Sequence, residues 1–528
     1  MTDNGSLEKR TDTKKYPENK RTAYGFKAVI GAAVLLALIL AALSAAARLT
    51  ERKESLIKNG TFFDVADRTD VLLLGSSHVV NGIDPAVLFE DYGIAAFNMA
   101  GHGSILPVTY WTLVNALDYC DPYCVVIDPF LIEEEYHFVD EVTDTRGTDL
   151  AENAVGQLHT VLDVFPYTKN KEAAIKDLLL DPETRNEFRA DFIRYHSRWS
   201  SLTAQDYMDT AKLKAQNGRM GAEMRWNTES PAQHYDLVPP EEKMSSESTG
   251  MEYLRRAVSL CQERGILVLL VNIPYEADPD YQRAANSVQD IADEMQVPYL
   301  NLMYAPGLID TETDLSSITH LNALGAKKVT AFIGSALQSI GTLDRRSQAG
   351  YEEWEKMAAA YRGEIMEHAV DAPDLYSALS MLQFDEVSGI VFINDGSPAL
   401  HDGNVKHMLE AAAAGKGGEC AGFEAAAEKD GAYCLVLDSA AGTSFEAYEG
   451  KTLEEFNTSF GVVRFNTVPG IYNLVQIRET DGEFSDGDNR LEYDEHQNDD
   501  VQVILFDPSD GSETGHLYFR YRITADLP

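Results

Sequence analysis

Positive charge is scarce in this 528-residue sequence: 44 lysines and arginines stand against 85 aspartates and glutamates, a formal net charge of −41. So anionic a chain repels nucleic acid and anionic headgroups, which excludes nucleic acid as a partner and favours solubility. Cysteine is scarce too, and five in a chain of this length do not make a disulfide scaffold. Cys120 with Cys124, and Cys420 with Cys434, are the pairs that oxidation outside the cell can bridge; the odd count leaves at least one thiol in a monomer. Cys-x-x-Cys and His-x-x-x-His spacings are missing, so nothing marks zinc. The acidic stretch 479–500 lacks EF-hand spacing, and no Gly-x-x-x-x-Gly-Lys loop is present to cradle a phosphate. No metal or cofactor is expected.

Long apolar runs are absent with one exception. Ala28–Ala47 carries no charge, and at about 1.5 Å rise per residue it spans a bilayer core of about 30 Å. Residues 1–27 before it carry Lys9, Arg10, Lys14, Lys15, Lys20, Arg21 and Lys27. That cluster is expected to stay in the cytoplasm, so the chain is a single-pass cell-membrane protein with its bulk outside. The competing reading is a cleaved signal peptide, with Ala45–Ala47 as the small residues of a cleavage site.

After a polar stem (48–68), compact aliphatic runs alternate with helical periodicity over residues 69–342. Asp70–Ser76, Ala95–Met99, Cys124–Pro129, Ile266–Pro274 and Val297–Met303 read as five buried strands. With helices between them they predict an α/β fold, a flavodoxin-like three-layer α/β/α sandwich. Residues 133–250 interrupt the alternation with a polar, helical insertion. A helical linker (343–375) leads to residues 376–528, whose short strand-like runs predict a β-rich α+β domain.

Three segments follow the C-terminal ends of predicted strands, where open α/β sheets place their ligands. Leu74-Gly-Ser-Ser77-His78 sets a hydroxyl on a tight turn opening a helix, with the Ser77 backbone N–H available to an oxyanion. Asn98-Met-Ala-Gly101-His-Gly103 brings glycines whose N–H groups approach a substrate oxygen closely. Thr319-His320-Leu-Asn322 offers an imidazole that can act as base toward Ser77. Taken singly, each reads more readily as a cap or a plain loop; three on one sheet edge point to a site. His196, between Arg194 and Trp199 in the insertion, and His78 are further candidates to line it.

These residues resemble the SGNH (GDSL-like) hydrolase superfamily. Gly75-Ser76-Ser77 resembles its Gly-Asp-Ser block, Gly101 or Gly103 falls at its oxyanion glycine, and His320 with Asn322 and Gly325 resembles its histidine block. The likeness covers roughly residues 65–340 outside the insertion. Within the superfamily it is closest to a bacterial envelope branch that includes D-alanyl-lipoteichoic acid biosynthesis and alginate O-acetylation proteins. The resemblance implies a serine esterase or O-acyltransferase acting on a cell-surface polysaccharide or teichoic polymer, and transfer implies a membrane-bound O-acyltransferase as partner. Ser77 would be the nucleophile and His320 the base. The family's acid lies three residues before the histidine, where this chain has Ser317; Asp314, the nearest acid upstream, is expected to replace it. Ile127-Asp128-Pro129 stands where the family keeps an oxyanion asparagine, so Asp128, like Asn98, is expected to serve the substrate. The alternative implied by these departures is a catalytically inactive, SGNH-like glycan-binding or scaffolding protein.

Overall fold

In a computed structural model, the protein is described over residues 18–50, 53–142, 154–189, 200, 202–448, 455–468, 472–491 and 500–521. Two compact units are distinguished: residues 1–53 with 186–208, and residues 54–185 with 209–528. In the first, helix α1 (Glu18–Thr50) contains the apolar span Lys27–Leu49, none of it buried. It is long and apolar enough to cross a membrane, as an anchor or a signal sequence. His196, with Arg194, Tyr195, Arg198 and Trp199, lies outside the described residues.

The second unit is mixed α/β. Strands β1 (Val71–Leu74), β2 (Ala96–Asn98), β3 (Cys124–Ile127), β4 (Leu267–Asn272) and β5 (Tyr299–Asn301) form a parallel sheet in the order β2-β1-β3-β4-β5. Apolar runs such as Val71-Leu-Leu-Leu74 suit it because both faces are covered, so no position along such a strand needs to be polar. One face, with Val71, Leu73, Val126 and Val271, packs on Val79 and Val80 of α2 (Ser77–Gly82), Leu88 of α3 (Pro85–Tyr92), and Val329 and Ile333 of α9 (Ala323–Ser339). Helices α4 (Leu106–Ala116), α7 (Thr249–Glu263) and α8 (Pro279–Met295) pack along the other. Register aligns Leu73 with Asn98 and Leu74 with Ile127, so the loops carrying Ser77, Asn98 and Asp128 leave one edge together.

The insertion departs from expectation. Its described helices, α5 (Ala154–Leu162) and α6 (Lys169–Leu178) among them, end by Lys214. Residues 215–248 have neither helix nor strand. Prolines 231, 239 and 240 bar a regular helix there, and the backbone finds distant partners. Glu223 N–H donates to Val80 (2.9 Å), Glu229 N–H to Leu315 (2.9 Å), and Arg225 accepts from Ala323 N–H (2.6 Å). The segment thus straps α2 to the residues around His320.

Helix α10 (Glu352–Val370) follows, then a five-stranded antiparallel sheet, β10-β9-β8-β14-β15, and a three-stranded one, β11-β12-β13. Their strands are β8 (Ser388–Ile393), β9 (Tyr433–Asp438), β10 (Thr443–Tyr448), β11 (Glu455–Thr458), β12 (Gly461–Val468), β13 (Tyr472–Arg478), β14 (Val501–Phe506) and β15 (Glu513–Phe519). The two sheets share a core of Ile390, Phe392, Val436, Val463, Phe465 and Ile504. All five cysteines are buried and free, so neither candidate pair is bridged.

Trp354 of α10 is fully buried, and its indole N–H donates to the Ala96 carbonyl on edge strand β2 (2.9 Å). Trp354→Ala removes that donor and opens a large cavity. Equilibrium urea unfolding should show a loss of about 3–5 kcal/mol.

Candidate active site

The turn after β1 is sharp. Gly75 has φ +148°, and a Cβ there would sit 2.7 Å from the Val79 side chain; only glycine tolerates both constraints. Ser76 caps α2, its hydroxyl accepting from His78 N–H (3.4 Å), so Ser77 becomes the first helical residue. The first N–H groups of a helix have no partner within it.

His320 lies ahead of the last helix of this sheet, not on it. It lies on a hairpin, where β6 (Leu315–Ser317) turns through Ile318-Thr319 into β7 (His320–Leu321) and pairs Ser317 with His320. Asn322 then caps α9, accepting from Gly325 N–H (2.9 Å). Across 243 positions of chain, His320 Nε2 meets Ser77 Oγ at 2.9 Å. Both are buried, Ser77 at 2% exposure and His320 at 6%.

Asp314 is not the third member. Its carboxylate is held by Lys328 (2.7 and 2.8 Å), Thr313 Oγ1 (2.9 Å) and Asp310 N–H (2.8 Å). The lysine, one turn into α9, captures it. His320 Nδ1 meets hydroxyls instead, Thr319 Oγ1 at 2.8 Å and Ser317 Oγ at 3.2 Å. Either oxygen can accept from Nδ1–H, which leaves the Nε2 lone pair facing the serine. The charge near the ring is positive. Burial, then Arg225 and His102, push the imidazole from its ordinary 6.5 to about 3.

Other expected residues divide. Gly101 N–H donates to the Gly75 carbonyl (3.1 Å), so it is spent joining the two loops and is not an oxyanion donor. Gly103 sits on a left-handed turn (φ 59°). Asn98 does not face a substrate: its amide donates to Val79 and Ile83 carbonyls (2.8 and 3.2 Å), tying β2 to α2. Asp128 is wholly buried and is no partner of His320. One oxygen accepts from Phe130 N–H (3.2 Å); the other has no hydrogen-bond partner. Desolvation raises this carboxyl well above its ordinary range, and a protonated carboxyl, unlike a carboxylate, can donate. His78 stacks on Phe130 (centroids 3.7 Å) and meets His320 edge-on (5.4 Å). At 3% exposure, both its ring nitrogens lack partners.

Sequence reasoning missed Arg225, Glu223, Thr319 and Tyr275. Arg225 and Glu223 are fixed by Asn81 of α2, which accepts from Arg225 Nε (3.2 Å) and donates to the Glu223 carbonyl (2.5 Å). Glu223 in turn holds His102 (2.8 Å). Among the described residues no three His, Cys, Asp or Glu side chains converge to hold a metal. No family model matches this sequence, and neither a curated protein nor a solved structure matches it at a significant level.

The depressed imidazole has two measurable consequences. In a ring-carbon NMR titration His320 should remain neutral through pH 5, and Arg225→Gln should move its midpoint upward; a wild-type midpoint near 6.5 would refute the buried, cation-flanked setting. His320 and His78 both have folded values below the unfolded 6.5. Below 6.5 the unfolded chain therefore binds more protons, so stability is fully present above that pH. The urea midpoint should fall as pH drops below about 6.5, and less steeply in His78→Phe.

Proposed function

We propose that the protein is a membrane-anchored, extracytoplasmic serine esterase or O-acyltransferase of SGNH type acting on a cell-surface glycan or teichoic polymer. One observation carries the reading: a buried serine hydroxyl 2.9 Å from a buried imidazole, the serine opening a helix just past a strand of the parallel sheet and the imidazole on the hairpin that meets it. The strand order 2-1-3-4-5 supports it, being the flavodoxin-like order with ligands at that edge. The basic residues before the uncharged run Ala28–Ala47 support a cytoplasmic N-terminus.

In this mechanism Ser77 Oγ attacks an ester carbonyl as its proton passes to His320 Nε2. The Ser77 N–H, free at the helix start, meets the developing oxyanion. Collapse breaks the bond to the leaving alkoxide, which takes the proton from His320, and an acyl ester on Ser77 remains. Water, or the hydroxyl of a second polymer, then attacks that ester as its proton passes to His320; the acyl–Oγ bond breaks, Ser77 Oγ takes the proton back, and the acid or the new ester leaves.

Ser77→Ala should abolish turnover of an aryl acetate and labelling by a serine-directed phosphonate. If wild-type protein does neither, the catalytic reading fails. Thr319 and Ser317 orient His320 but cannot stabilise its cation as a carboxylate would. Ser317→Asp should therefore raise kcat by about 10-fold or more, within the range a triad carboxylate supplies, and raise the His320 midpoint in the same NMR titration.

A second reading, a non-catalytic glycan-binding or scaffolding protein, is favoured by the hydroxyl partners of Nδ1 and the cationic Arg225. Glycan binding by the wild type, with no turnover or labelling, would establish it.

A further inference from the structure

A cleft of about 640 Å³ lies beside the histidine hairpin, within the roughly 300–1,000 Å³ of small-molecule sites. Thr319, which holds His320 Nδ1, is part of its lining. So are Phe130 and Tyr275, the two rings packed against His78 (3.7 and 4.7 Å between centroids). The cleft therefore shares its walls with the residues flanking both Ser77 and His320. Behind those walls, the His78 ring keeps two buried nitrogens without a partner. A hydrogen-bonding group so enclosed costs stability unless something meets it.

The lining has a definite chemistry. Tyr235 adds a third aromatic ring, fixed by its N–H donating to Glu276 (2.6 Å). Glu276, Asp278 and Asp280 are the charged residues of the lining, and no lysine, arginine or histidine joins them. Arg283 pairs with Asp280 from outside (3.1 Å), His234 meets Glu276 (3.4 Å), and Asp278 caps α8, accepting from the N–H groups of Asp280 and Tyr281. Aromatic faces take the C–H faces of sugar rings, and carboxylates accept from sugar hydroxyls or ammonium groups. They repel phosphate, as does a chain of net charge −41.

We infer that this cleft is a sugar subsite for an uncharged or amino-bearing glycan, and that it discriminates against phosphate-rich polymers. The inference deepens the proposed function by choosing between its two polymer classes, and rests on that reading only in taking Ser77 and His320 as the reacting pair. The full chain carrying Ser77→Ala, in detergent micelles, separates binding from turnover. Calorimetry should detect the β-1,4 tetrasaccharide of N-acetylglucosamine, or of glucosamine, and no poly(glycerol phosphate). Adding Tyr235→Ala should weaken the oligosaccharide about 10-fold or more at an unchanged melting temperature, and Tyr275→Ala should weaken it at least as much. Poly(glycerol phosphate) binding as tightly, neither oligosaccharide binding, or indifference to both tyrosine variants would overturn the inference. Phosphonate labelling of Ser77 fails or succeeds separately, so loss of the catalytic reading leaves the cleft result interpretable.

Discussion

The site depends on one hydrogen bond made without water: Ser77 Oγ to His320 Nε2, closed between two side chains that are almost wholly buried. Desolvation strengthens that contact and also makes a charged imidazole expensive. In a serine hydrolase triad a carboxylate offsets this cost. Here hydroxyls orient the ring and Arg225 stands nearby, so the imidazole is held neutral and ready to accept, while its cation is poorly supported. A slow enzyme and a binding protein are both compatible with such a balance, and the proton affinity of one ring decides between them.

Much else exists to keep that contact in register. The irregular strap from Glu223 to Glu229 is hydrogen-bonded to α2 at Val80 and Asn81, and to the hairpin at Ser316 and Leu315. It therefore spans the two segments that bring Ser77 and His320 together. Helix α11 (Gly403–Gly415) adds His407 against Asp310 (2.5 Å), and Ser380 reaches the Thr313 carbonyl (3.3 Å). Both grip the loop leading into the hairpin, so residues from the C-terminal sheets' side of the chain also steady the histidine.

How much of this could be read in advance follows from range in sequence. The five strands were legible because a parallel strand covered on both faces must be apolar throughout, as Val71–Leu74 is. Ser77 and His320 were legible because each directly follows such a strand or the loop beyond it. Asp314 misled because its captor, Lys328, lies 14 positions on, and no local pattern tells which side chain a carboxylate will choose. Asn98 and Gly101 misled for a related reason: both look free until the neighbouring turn is folded against them. Arg225 was hidden altogether. Its place comes from Asn81, 144 positions away, across a segment with no periodicity to announce it.

Strand β2 is terminal in the order, yet the Trp354 indole occupies the Ala96 carbonyl and the Met220 carbonyl occupies Asn98 N–H (2.8 Å). Exposed backbone along a terminal strand is a template for a neighbouring chain. With those groups satisfied from within, a neighbouring copy finds no open ribbon to extend at β2, and that margin of the sheet is guarded against fibrous self-association.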